Sequence, residues 1–255
     1  MRSSLVDHPA QPIYDALCEH AESHSSLLLR LDGERAAAWI ELRLGQICAA
    51  TAPGILPTRK ALRRRLLELL DDAIGCEACD EQALPAGAFE LCPPLSPHAL
   101  VRQHLRRVDD DAIVARYEAL LELADLRPGP RQPPLWLLDS DEARVADALA
   151  AGAGSETLAQ AWRGRRVDLL RLLALLDASR AITAHPVSPR SVDHAKRLLG
   201  INSGTLAPDV IRAAFRQAAL RWHPDRHPDA DEQRRATLAA RFSVMSSAYR
   251  VLLDT

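Results

Sequence analysis

Apolar side chains recur every three or four residues along most of the chain, which is the spacing of a helix that buries one face. The clearest case is residues 58–74, where Leu62, Leu66 and Leu70 share a face. Residues 75–97 break the pattern with prolines and glycines, so we predict an irregular loop there. In the first 185 residues the pattern predicts helices at 12–21, 25–31, 33–50, 58–74, 97–108, 110–126, 139–151 and 157–182.

Strands are absent from this prediction. We find no convincing alternation of apolar and polar positions, and the composition favours helices, because Leu and Ala are abundant while aromatic side chains make up only 4%. Arg far outnumbers Lys, which occurs only at Lys60 and Lys196, a bias typical of a GC-rich bacterial genome. The sequence therefore predicts an all-α fold in a bacterial protein.

A short stretch that contains Pro186 and Pro189 separates two parts of different charge. Residues 186–255 contain 11 Arg and Lys against 7 Asp and Glu, a net charge of +4, whereas residues 1–185 carry −6. We therefore predict an N-terminal helical domain of residues 1–185 and a separate C-terminal domain of residues 186–255. The total charge of −2 argues against a protein that coats nucleic acid or a membrane.

The five cysteines are odd in number and lack the spacing of a disulfide framework, which argues against a secreted scaffold. Residues 1–12 lack the apolar centre of a signal peptide, and no apolar run approaches the length of a membrane span. We therefore expect a cytoplasmic protein.

Cys76, Cys79, Cys92 and His98 have the ligand types of a tetrahedral zinc site. Their spacing matches no zinc pattern that we know, and cysteine also packs as a small apolar residue. We predict no cofactor and no metal site, and we keep these four residues as the alternative.

Arginine clusters in the N-terminal domain are accompanied by Asp or Glu, so we interpret them as solvated helix faces and predict no nucleic-acid partner. The clusters are Arg63-Arg64-Arg65, Arg102-Arg106-Arg107 and Arg163-Arg165-Arg166. We also expect three tryptophans to anchor the core of this domain: Trp39, Trp136 and Trp162.

The C-terminal domain has two long helical segments, residues 208–222 and 231–253, after a shorter one at 191–200. The loop between the long segments begins with His223-Pro224-Asp225, and its prolines cannot continue a helix. Each long segment has an apolar stripe, so the two should pack as an antiparallel hairpin. The stripes are Ile211, Ala214, Phe215, Ala218, Ala219 and Trp222, and Leu238, Phe242, Met245, Tyr249 and Leu252.

These residues resemble the J-domain of the DnaJ, or Hsp40, co-chaperones over about residues 191–254. The resemblance rests on the His-Pro-Asp tripeptide, on its register between two helices, and on Phe and Tyr in the helix that follows. The segments that carry it are Leu198-Leu199-Gly200-Ile201, Ile211 to Phe215, Leu220 to Arg226, Phe242, Met245 and Ala248 to Leu252.

The resemblance implies that the chain is not an enzyme but a partner of a DnaK-like Hsp70, on whose ATP state the second helix and the loop dock. It further implies that Asp225 engages an Hsp70 arginine and favours ATP hydrolysis, and that basic side chains steer association toward an acidic Hsp70 surface. The residues implied in Hsp70 binding are His223, Pro224, Asp225, Arg212, Arg216, Arg221 and Arg226.

The chain departs from the family at several positions. Ala213 and Gln217 stand where basic residues are frequent, and Ala218 stands where leucine is frequent. The alternative is therefore an adaptor or scaffold whose J-domain binds without stimulating the ATPase. In the hypothesis that the chain stimulates Hsp70, residues 1–185 direct the J-domain to a client or partner protein.

Overall fold

The computed structural model describes eleven stretches of the chain. They are residues 11–24, 26–33, 37–51, 58–79, 84, 87–122, 124–153, 155–186, 192–201, 207–228 and 232–254. Within them the helices are α1 Gln11–Glu22, α2 Arg59–Asp72, α3 Pro97–Arg107, α4 Asp110–Glu122, α5 Ser140–Ala150, α6 Ser155–Ala161, α7 Arg166–Ala178, α8 Val192–Leu198, α9 Pro208–Trp222 and α10 Glu232–Leu253. The strands are β1 Leu27–Gly33, β2 Ala37–Arg43, β3 Gln46–Thr51, β4 Ala73–Cys79, β5 Ala88–Leu95, β6 Ala124–Pro128 and β7 Ile182–Pro186.

A five-stranded antiparallel sheet occupies the first part of the chain, so the all-α prediction is wrong and the fold is mixed α and β. Its strand order is β4-β1-β2-β3-β5. Strands β1 to β3 replace the helices predicted at 25–31 and 33–50, and β4 and β5 lie largely in the predicted loop at 75–97. A second sheet pairs β6 with β7, at the ends of the helices predicted for 110–126 and 157–182.

Side-chain burial in β2 shows why this segment is a strand. Ala38, Ile40 and Leu42 are buried, while the residues between them are less buried. This alternation places one face of the sheet against the core and the other toward solvent. Leu44 and Gly45, both with positive φ, then form the turn that reverses the chain into β3.

The helices that carry clear end signals are confirmed. Helix α3 begins with Pro97 after the N-cap Ser96, whose hydroxyl accepts a hydrogen bond from the backbone N–H of Ala99. Helix α5 begins with a capping box between Asp139 and Glu142. Helices α1 and α2 also lie where the periodicity predicts them. None of the described helices is long and apolar enough to cross a membrane.

One large core joins the sheets and helices α1 to α7. Within it, the Tyr14 hydroxyl and the ring of His104 form a hydrogen bond between α1 and α3, and His104 Nε2 lies 2.8 Å from an oxygen of Asp71. Val244 of α10 also belongs to this core and is only 2% exposed. The C-terminal helices therefore contact the N-terminal region, and the domain boundary at 185/186 stays a prediction.

Candidate functional site

The C-terminal helices surround a second, smaller core. Its buried members are Ala195, Leu199, Ile201, Ile211, Ala248 and Leu252. Helix α10 packs against both α8 and α9, while α9 turns its arginines to solvent. This arrangement confirms the predicted hairpin of α9 and α10.

Aromatic rings form a column along the hairpin. Phe215 of α9 stacks on Tyr249 near the end of α10, with ring centroids 4.4 Å apart, and also lies 6.0 Å from Phe242 nearer its start. The ring of His223, which follows α9, meets Phe242 edge to face at 4.7 Å. Since later residues of α9 contact earlier residues of α10, the two helices run antiparallel. The column ties the His-Pro-Asp loop to the hairpin core.

The loop itself is a single turn of 3₁₀ helix, Pro224–Arg226, directly after α9. The backbone N–H of Asp225 donates to Nδ1 of His223 over 3.3 Å, and the N–H of Arg226 donates to the His223 carbonyl over 3.0 Å. The neutral His223 ring then carries its proton on Nε2. Pro224 suits the first position of the turn because its missing N–H would have no partner there.

Asp225 is presented to solvent by this turn. Its side chain is 88% exposed, and its carboxylate lies 3.7 Å from Nδ1 of His223. The carboxylate thus lies beside the His223 ring at the surface of the loop. His223, in contrast, is half-buried because it packs on Phe242.

His227 is a loop residue that the sequence analysis missed. Its Nε2 lies 3.0 Å from the backbone carbonyl of Arg221, within hydrogen-bond distance, and its own backbone N–H donates to the carbonyl of Pro224 over 2.9 Å. The ring therefore bridges the end of the turn to the end of α9. Its place two residues after the tripeptide is the signal that could have indicated a role in holding the loop.

Four arginines predicted to bind Hsp70 are exposed on α9 and the loop: Arg212, Arg216, Arg221 and Arg226. Arg212 pairs with Asp209 over 3.3 Å, and Arg221 lies over the ring of Trp222, 4.8 Å from its centroid. Arg221 and Arg226 therefore place exposed positive charge close to Asp225, while Arg212 and Arg216 lie farther along α9.

Trp222 differs from the prediction that it belongs to the apolar stripe of α9. It is half-buried and does not belong to the second core. Instead, the guanidinium groups of Arg221 and Arg241 lie 4.8 and 4.3 Å from its ring centroid. These cation–π contacts place the ring between charges at the edge of the hairpin.

Comparison with known protein families matches the DnaJ domain to residues 197–255. This range contains α9, the loop and α10, and only the last two residues of α8. The C-terminal part of the chain is a DnaJ domain. We refer to it below as the J-domain.

Curated relatives match the same region. DnaJ homolog subfamily B member 8 of Mus musculus is 41% identical over 58 residues, which are 23% of this chain and 23% of that protein. Chaperone protein dnaJ 72 of Arabidopsis thaliana is 38% identical over 63 residues, or 25% of this chain and 33% of that protein. Chaperone protein DnaJ of Thermoplasma volcanium is 40% identical over 58 residues, or 23% of this chain and 14% of that protein.

The similarity to these relatives is thus limited to the J-domain, and the matched segment spans about a quarter of the first relative's length. The relatives come from animals, a plant and an archaeon, so the bacterial source stays a prediction. No solved structure matches the chain.

The four zinc candidates do not come together. Cys76 and Cys79 lie on β4, and Cys92 lies on β5, at the opposite edge of the five-stranded sheet. Four strand spacings of about 4.8 Å separate these edges by roughly 19 Å. His98 lies on α3, where its Nε2 is 3.3 Å from a carboxylate oxygen of Glu22.

Burial, with a smaller contribution from Cys79 and Asp32, raises the pKa of the Cys76 thiol to about 11. In the described parts of the chain, no group of three or more His, Cys, Asp or Glu side chains could hold a metal ion. The described residues therefore do not bring these four candidates into one ligand set, and the absence of a metal site stays a prediction.

The arginine clusters of the N-terminal region lie beside carboxylates, as the interpretation of solvated helix faces requires. Arg64 and Arg65 both reach Glu68, at 3.5 and 3.3 Å. Other pairs across helices are Arg102–Glu142, Arg107–Asp71, Arg165–Asp110 and Arg166–Glu118. These contacts give the clusters a structural role and leave α9 and the loop as the candidate binding site.

Proposed function

We propose that the chain is an Hsp70 co-chaperone whose J-domain binds the ATP state of an Hsp70 and stimulates its ATP hydrolysis. One observation carries the proposal: the His-Pro-Asp loop is held by ordered contacts and presents Asp225 to solvent, with exposed arginines on α9 and in the loop. The chaperone names of the relatives that match this region support the same role.

The loop is suited to binding because little of it has to be ordered on contact. Backbone hydrogen bonds within the turn, the His227 bridge and the ring of Phe242 restrict its conformations before a partner arrives. A pre-ordered loop loses less conformational entropy on association than a free one. Asp225, however, stays accessible to an arginine of the partner.

The charges of α9 favour an acidic partner surface. Arg212, Arg216 and Arg221 are exposed on this helix, and Arg226 continues the basic surface into the loop. Exposed charges of one sign raise the association rate with an oppositely charged surface and make it sensitive to salt. These exposed arginines therefore guide the encounter, and the loop makes the contact that matters for hydrolysis.

In this proposal the J-protein carries no catalytic residue, because the ATPase centre belongs to Hsp70. The N-terminal region binds a client or partner protein and so determines where Hsp70 is stimulated. Its charge of −6, against +4 for residues 186–255, suits a surface with a different partner from that of the J-domain.

The test measures both binding and hydrolysis with the complete chain. Single-turnover ATP hydrolysis by a DnaK-type Hsp70 is expected to accelerate when the chain is added. His223→Gln is expected to remove the acceleration while circular dichroism shows that the helices still form. Hsp70 binding without acceleration would instead identify the non-stimulating adaptor and contradict the proposal. Equal acceleration by the chain and by His223→Gln would also contradict it.

A further inference from the structure

The tryptophans of the chain differ in how they pack. Trp136 is 68% exposed, so the expectation that it anchors the core is wrong. Trp162 packs against the large core. Trp222 is half-buried but belongs to neither hydrophobic core, and its ring contacts two arginines instead. Core packing therefore does not account for a tryptophan directly before the His-Pro-Asp loop.

The two arginines approach the Trp222 ring from different helices. The guanidinium of Arg221, in the last turn of α9, lies 4.8 Å from the ring centroid, and that of Arg241, on α10, lies 4.3 Å from it. A cation within about 6 Å of the centroid is attracted to the face of an aromatic ring, and tryptophan attracts it most strongly. Arg241 thus ties the ring to α10, and the ring in turn restrains the guanidinium of Arg221.

The restrained guanidinium belongs to a residue that is also tied to the loop. The backbone carbonyl of Arg221 lies 3.0 Å from Nε2 of His227. The side chains of Arg221 and Asp225 are both exposed at this end of the hairpin. Within the described stretches of the chain no ion pair joins these two opposite charges, since Arg221 contacts the ring. The Asp225 carboxylate therefore stays accessible.

A guanidinium that lies over a ring keeps its hydrogen-bond donors available. Its N–H groups point outward in the guanidinium plane, whereas the ring contacts the face of that plane. Arg221 can therefore donate two hydrogen bonds to a carboxylate of a partner while the ring still holds it. Without the ring, the long side chain would lose more rotamer freedom on binding, and it would be free to pair with Asp225.

We propose that Trp222 is a positioning residue that acts on Hsp70 binding through Arg221. The ring holds the Arg221 guanidinium near Asp225 without an ion pair between them, so that Hsp70 meets both charges at once. A carboxylate of Hsp70 then contacts Arg221 while an arginine of Hsp70 contacts Asp225. This inference rests on the proposed function, because it assigns a further partner contact to the same site.

The test is a double-mutant cycle on the complete chain. It measures the concentration of chain that gives half-maximal acceleration of ATP hydrolysis by a DnaK-type Hsp70. Trp222→Leu is expected to raise this concentration about two- to fivefold, the range for the loss of one exposed charged contact. In a chain that already carries Arg221→Gln, Trp222→Leu is expected to change it by less than about 1.5-fold, because the ring has no guanidinium left to position.

Two controls separate this role from simple packing. Trp222→Phe keeps an aromatic face and is expected to stay within about twofold of the unaltered chain. Arg250→Gln removes an exposed arginine near the end of α10, and in this background Trp222→Leu is expected to cost as much as in the unaltered chain. If Trp222→Leu cost as much in the Arg221→Gln background too, Trp222 would act by packing alone and the proposal would be overturned.

NMR of the chain alone tests the contact without Hsp70. The Nε–Hε signal of Arg221, assigned by its absence in Arg221→Gln, is expected to lie upfield because of the indole ring current and to move downfield in Trp222→Leu. An Arg221 signal that does not move would overturn the proposal, whatever the hydrolysis assay shows. A chain that shows the shift but does not accelerate hydrolysis would contradict the proposed function and, with it, Hsp70 as the partner that Arg221 contacts.

Discussion

Phe242 is the ring through which the His-Pro-Asp loop rests on the J-domain hairpin. Its edge-to-face contact with His223 is 4.7 Å between centroids, and Phe215 lies 6.0 Å away on the other helix. The substitution Phe242→Leu keeps an apolar side chain of useful size at this position but removes both ring contacts. It is therefore expected to loosen the loop and lower Hsp70 stimulation while the helices still form.

The expected energy follows from these two contacts. Aromatic pairs contribute about 0.5–1.5 kcal/mol each beyond the burial of their area, so two of them are worth about 1–3 kcal/mol. An apolar exchange that largely conserves volume usually costs less than about 1.5 kcal/mol. Met245→Leu is such an exchange, in the next turn of the same helix, where the side chain packs on the second core.

Hydrogen exchange of the α9 amides measures how much each substitution destabilises the J-domain hairpin. Each amide reports the opening of its own helix, so the large N-terminal core does not mask the effect. A loss of about 1–3 kcal/mol corresponds to exchange about 5- to 150-fold faster in Phe242→Leu. Met245→Leu is expected to exchange less than about tenfold faster and to keep its Hsp70 stimulation. If Phe242→Leu matched Met245→Leu in both exchange and stimulation, the aromatic column would not be what positions the loop.

Three further predictions concern charge, backbone strain and pH. Arg216→Glu is expected to slow association with Hsp70, more at low than at high salt, in stopped-flow measurements; a loss that does not change with salt would contradict electrostatic steering. Gly45→Ala is expected to lower the melting temperature more than Gly152→Ala does. Both glycines have positive φ, but of the two only Gly45 has a backbone oxygen, at 2.2 Å, where an added Cβ would lie. Equal melting shifts for the two variants would contradict this. Burial lowers the pKa of His98, so the unfolded state binds more protons below about pH 6.5 and the free energy of unfolding falls there. In urea unfolding, the free energy of unfolding of His98→Gln should fall less from pH 7 to pH 5 than that of the unaltered chain. The control variant His185→Gln, at an exposed position, should show the same fall as the unaltered chain.

Two of the helices that were predicted have their starts marked by their own residues. Ser96 and Pro97 begin α3, and Asp139 begins α5, through contacts within a few residues of sequence. The site was predictable for the same reason, since two helices and the loop between them determine where His223 and Asp225 project. Local chemistry was sufficient for these features.

The sheet could not be predicted in this way. Ala38, Ala49 and Ala50 are buried in β2 and β3, although alanine is the strongest helix former, because pairing with neighbouring strands decides their conformation. The apolar run that begins β1 has no alternation to distinguish it from a buried helix. Long-range partners, which composition and spacing do not specify, therefore determined this part of the fold.

The same limit applies to side chains around the site. The contact of Phe242 with His223 joins residues far apart in the sequence, and so does the placement of Arg241 over Trp222. The exposure of Trp136 also depends on which of its neighbours enter the core. A tryptophan is more often buried than exposed, so its residue type alone led to the wrong expectation.

Single-turnover ATP hydrolysis by Hsp70 with the Asp225→Asn variant tests the central claim most directly. Asp225 is 88% exposed, so the substitution is expected to leave the fold and its melting temperature unchanged. Asp209→Asn makes the same chemical change at an exposed carboxylate in the first turn of α9 and serves as the control. The account predicts that the unaltered chain and Asp209→Asn accelerate hydrolysis while Asp225→Asn does not. Equal acceleration by all three proteins would contradict the role of the loop.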